Sequence, residues 1–148
     1  ELVGDMLDEI MEMGELEESV SERVSALAER IVVADRLLVE YGVYYTGNFV
    51  AGVCDAVEER LKSDVGLSDN ADQRRRLELL EEVDRRMRED AELQTALLAA
   101  SSMRTAFDEG LAVEGGPIGS EKTALRHYKN AWLHALNAGI LAERTAGS

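Results

Sequence analysis

The stretch ELEESVSERVSALAERIVVADRLLVEY, residues 15–41, contains no glycine or proline, and its apolar residues keep to one rhythm. Leu16, Val20, Val24, Leu27, Ile31, Ala34, Leu38 and Tyr41 follow one another at steps of 4, 4, 3, 4, 3, 4 and 3. Steps of three and four place side chains on one face of an α-helix, and their strict alternation is the signature of a coiled-coil seam. Val32, Val33 and Val39 lie off that seam, so this segment should be covered on more than one side and form the centre of the core.

Composition supports the same fold class. The chain has 148 residues, enough for one domain with a real core, and 45% of them are apolar. Aromatic residues make up 5% and there is a single proline, while Ala, Leu, Glu and Arg predominate. That mixture favours helix and offers few strand-like runs. We expect an all-α protein: a single helical domain over 1–148, built as a mostly antiparallel bundle of four to five helices.

Working outward, residues 1–13 place Leu2, Met6, Leu7, Ile10 and Met13 at helical spacing before Gly14, a candidate C-cap. This is either the first bundle helix or an N-terminal docking helix. After Tyr41, the run YGVYYTGN predicts a break, with Thr46 or Asn48 capping a further helix to about Lys62. From Ser68 or Asp69, as N-cap, no glycine or proline intervenes until Gly110. One long helix over about 70–108 is therefore expected, with Leu80, Val83, Met87, Ala91, Gln94, Leu98 and Ser101 as its inner stripe. A Gly-rich link at 110–119 leads to a C-terminal helix over 120–141, capped by Ser120.

Charge narrows the range of partners. Thirty acids against sixteen bases give a net charge of −14, which disfavours nucleic acid and anionic membrane surfaces. Arginine outnumbers lysine heavily, and with the acid excess this suits a halophilic source. Cys54 is the only cysteine. It cannot form an intrachain disulfide, reads as a small buried hydrophobe, and fits a cytoplasmic location or a virus particle assembled there. No apolar run long enough to span a membrane is present.

The motifs with chemical potential resolve into structural ones. Adjacent carboxylates such as Glu17 and Glu18 point apart on a helix. Neither histidine has a glutamate three residues before it, so the di-iron helix motif is missing. The basic-looking RRRLELLEEVDRRMRED, residues 74–90, places each later arginine between acids one turn away, which gives a solvated salt-bridged face. Arg74, Arg75 and Arg76 partly escape this ladder and form the best exposed basic spot. No catalytic, cofactor-binding or metal-binding residue emerges, and no cofactor or small molecule is inferred.

The C-terminal segment carries the strongest contact signal. Leu125, Tyr128, Trp132, Leu136 and Ile140 define one apolar face, and Ala124, His127, Ala131, His134 and Ala138 a second strip where another helix could approach. His127 and His134 are roughly 10.5 Å apart along the axis, too far to share one zinc ion. The first 22 residues hold nine acids and no base, whereas the C-terminal helix is mildly basic, so the two ends are complementary within one chain or between copies. The expected function is that of a non-enzymatic structural or regulatory subunit acting through helix–helix protein contacts, as a homo-oligomer or within a larger assembly such as a viral particle. Its candidate interface is His127, Tyr128, Trp132, His134 and Leu136.

One further reading comes from likeness. The segment SEKTALRHYKNAWLHALNAGILAER, residues 120–144, resembles the end of a winged-helix transcription regulator, with Ala138, Gly139, Ile140 and Leu141 matching the turn before the wing. That resemblance implies DNA binding through Arg126, Lys129 and Asn130.

Overall fold

The computed structural model describes residues 2–12, 18–117 and 119–147. Among these the chain is all-α with bundle-like helix packing: α1 (Leu2–Glu12), α2 (Glu18–Asp64), α3 (Gln73–Glu89), α4 (Ala91–Val113) and α5 (Ser120–Gly147), and no strand. The expected cap at Gly14 and the start of the seam at Leu16 lie outside the described residues.

Three expected boundaries are corrected. The run at 41–48 does not break the helix: α2 continues through it for 47 residues, about 70 Å at 1.5 Å per residue. Glycine inside a helix costs only about 1 kcal/mol, and Gly42 is held in place by close packing, because a Cβ there would lie 2.8 Å from Trp132 Cζ3. Conversely, the long helix expected over 70–108 is two helices. Asp90 leaves helical geometry with ψ 98° and its carboxylate accepts the Leu93 N–H at 3.1 Å, so it caps α4 in mid-run. The N-cap of α3 is Asp72, whose side chain accepts from the Arg75 N–H, rather than Ser68 or Asp69. Finally, the link is shorter than 110–119 because α4 runs on to Val113, and α5 starts at Ser120 as expected but extends beyond 141 to Gly147.

The chain divides into two compact units. Unit 1 comprises Glu1–Tyr44 and Ser102–His134, and unit 2 comprises Tyr45–Ser101 and Ala135–Ser148. In unit 1 the core joins Val32 and Val39 of α2 with Ala106 and Phe107 of α4 and Ala124, Leu125, Tyr128 and Ala131 of α5. The Phe107 and Tyr128 rings are tilted, 5.6 Å between centroids, which is a favourable aromatic geometry. In unit 2, Val50, Val53 and Val57 pack with Leu93, Ala96, Ala99, Ala138 and Ala142, and Cys54 lies partly buried against them. Burial holds the Cys54 thiol above its ordinary pKa, consistent with its reading as an unreactive apolar side chain.

Alanine recurs through both cores, around a few larger side chains such as Phe107, Tyr128 and Leu93. Buried positions on α5 include Ala124, Tyr128, Ala131, Ala135, Ala138, Ala142 and Thr145, a heptad seam with steps of 4, 3, 4, 3, 4 and 3, and Leu125 is buried beside it. On α4 they are Leu93, Ala96, Ala99, Met103, Ala106, Phe107 and Gly110, with Ala100 partly buried. Alanine lets helix axes approach closely but buries little apolar area per residue.

A candidate docking surface

The side chains that the cores leave outside are larger than most of those they take in. On α2, Ala28, Val32 and Val39 are buried, whereas Leu27, Leu37, Leu38, Tyr41 and Tyr44 are exposed. The seam read from residues 15–41 is therefore real as a helical stripe, but of its residues Ile31 packs only partly buried against the core while Leu27, Leu38 and Tyr41 lie outside. The inner stripe is displaced by one residue, from Leu27, Ile31 and Leu38 to Ala28, Val32 and Val39. A similar exchange occurs on α5. The alanine strip enters the core and Trp132, Leu133, Leu136 and Ile140 remain more than a third exposed.

Each expected interface residue can now be placed. Tyr128 is fully buried, so it belongs to the core of unit 1. Trp132 and Leu136 are exposed, and His134 is half-buried. His127 Nδ1 lies 3.2 Å from Glu109 Oε2. Arg74, Arg75 and Arg76 are exposed, and Arg75 pairs with Glu78 at 3.4 Å. The salt-bridge ladder expected on this helix is present in part: Arg85 bonds Glu82 and Glu89, Arg86 bonds Glu82, and Arg88 pairs with Asp84 at 2.7 Å, while Asp90 caps α4 and Glu92 lies beyond the break. Its two hydrogen-bonded arginines hold the Glu82 carboxyl at about 2.

Complementarity between the chain ends operates inside unit 1. Lys122 of α5 bridges Asp5 at 2.8 Å and Asp8 at 3.1 Å on α1. The Lys122 hydrogen bond lowers the Asp5 pKa and the two carboxylates raise that of Lys122. Gly4 is buried in the same contact, its Cβ position lying 3.4 Å from Lys122 Cγ and 3.7 Å from Leu125 Cδ1.

A second polar assembly anchors the end of α4. Glu114 receives the Arg36 guanidinium on Oε2 and the Tyr128 hydroxyl on Oε1, the latter at 3.1 Å. Burial, followed by the Glu114 hydrogen bond, pushes the Tyr128 phenol well above its usual pKa. This group links α2, the end of α4 and α5, with the Arg36 and Glu114 side chains still partly exposed. The sequence offered little sign of it, since its members are 78 and 14 residues apart.

An open groove of about 520 Å³ runs beside the exposed seam of α2 in unit 1. Its walls are Ile31, Ala34, Asp35, Leu38 and Val39 of α2 and Leu125, Lys129 and Trp132 of α5, with Val3 of α1 at its edge. Asp35 is half-buried there, and burial raises its carboxyl above the ordinary value. Among the described residues no group of three or more metal-ligating side chains converges, and no helix is long and apolar enough to cross a membrane.

No protein family, curated protein or solved structure matches the chain. The turn required by the winged-helix resemblance is absent, because α5 is helical straight through Ala138, Gly139, Ile140 and Leu141.

Proposed function

We propose that this protein is a non-enzymatic structural or regulatory subunit that works by helix–helix contact with another protein, through the apolar face that unit 1 leaves open. The observation that carries this reading is the exposure of Leu37, Leu38, Tyr41, Tyr44 and Trp132 together in one compact unit. Scattered surface leucines are ordinary, but contiguous large apolar residues on a highly charged protein mark an interaction site. Two features make the face suitable for a helix. Its spacing along α2 is that of a coiled-coil seam, and Asp35, Arg36 and Glu40 are the only charges between Ile31 and Tyr45.

Such a subunit belongs in a homo-oligomer or a larger assembly, a virus particle formed in the cytoplasm being one setting. The acid excess of the chain suits a salt-rich one. The test is the native mass of the particle in its source extract, for the wild-type chain and for Leu38→Glu. The wild type should travel in a particle heavier than 16.3 kDa and the variant as a folded single chain. If both travel as single chains, the reading fails.

A further inference from the structure

We draw no further inference here: the strongest candidate, the open apolar groove between α2 and α5 of unit 1, carries none because nothing in the structure shows what covers it.

Discussion

Leu38 and Val39 are consecutive residues of α2, and they have opposite environments: Val39 is 2% exposed and Leu38 is 59% exposed. The smaller side chain supports the fold and the larger one faces solvent. Val39→Ala should therefore destabilise unit 1 by about 2 kcal/mol, from lost burial plus the cavity left behind. Leu38→Glu should stay within about 0.5 kcal/mol of wild type, as surface substitutions do. Denaturant unfolding of the two variants measures the difference, and equal losses would show that Leu38 is buried in solution.

Close packing makes a sharp distinction between two glycines. A Cβ on Gly110 would lie 2.5 Å from Tyr128 Cε1, against a ring that is fully buried. Gly110→Ala should cost about 2 kcal/mol or more by overpacking. At Gly42 the obstruction is Trp132 Cζ3 at 2.8 Å, but that ring is 37% exposed and has room to swing outward. Gly42→Ala should therefore be milder, with helix propensity offsetting part of the strain, and it should change Trp132 fluorescence. Thermal melts and emission spectra of both variants check this.

Tyr128→Phe keeps the ring and removes the hydroxyl that donates to Glu114. The expected loss is about 1.5 kcal/mol, since the acceptor is charged. Glu114→Gln should weaken the same assembly through Arg36. A double-mutant cycle should show coupling between positions 128 and 114, and strict additivity would contradict the shared network.

Acid should loosen α1 before it unfolds the cores. The Asp5 carboxyl sits below its ordinary value of 3.8 because Lys122 hydrogen-bonds it. Its contribution is thus present above that value and is lost as pH falls through the lowered one. Asp35 behaves in the opposite sense. Burial raises its pKa, so its ionised form opposes folding at neutral pH, and Asp35→Asn should raise Tm slightly, by about 2 °C or less. Amide exchange across α1 between pH 7 and pH 3, with melts of Asp35→Asn, tests both signs.

Helix type was legible in the sequence because long runs with three-four spacing allow little else, but the count of five agrees only because one expected break, at 41–48, is missing and one unexpected break, at Asp90, is present. What periodicity could not settle was which of two adjacent stripes enters the core. On α2 the stripe of Leu27, Ile31 and Leu38 is the more hydrophobic, so hydrophobicity alone selects it, while the buried Val32 and Val39 owe their place to the close approach of α4 and α5. On α4 the wheel was misphased for a local reason. Asp90 interrupts the helix, so the stripe projected from Val83 and Met87 emerges at Leu98 on the surface, and Leu93, Ala96 and Met103 take over inside. The apolar face carrying Trp132 and Leu136 was visible from helical spacing, but Tyr128 could not be separated from it without knowing that Glu114 and Phe107 pack against it.

The central claim is that the large apolar side chains of unit 1 are exposed only until a partner covers them. Hydroxyl-radical labelling read out by mass spectrometry addresses it at single residues, comparing the isolated chain with the chain in its source extract. Leu38, Tyr44 and Trp132 should be labelled several-fold less in the extract, while Leu77 on α3, which is exposed in unit 2, should be unchanged. Equal labelling of Leu38, Tyr44 and Trp132 in both samples would contradict the account.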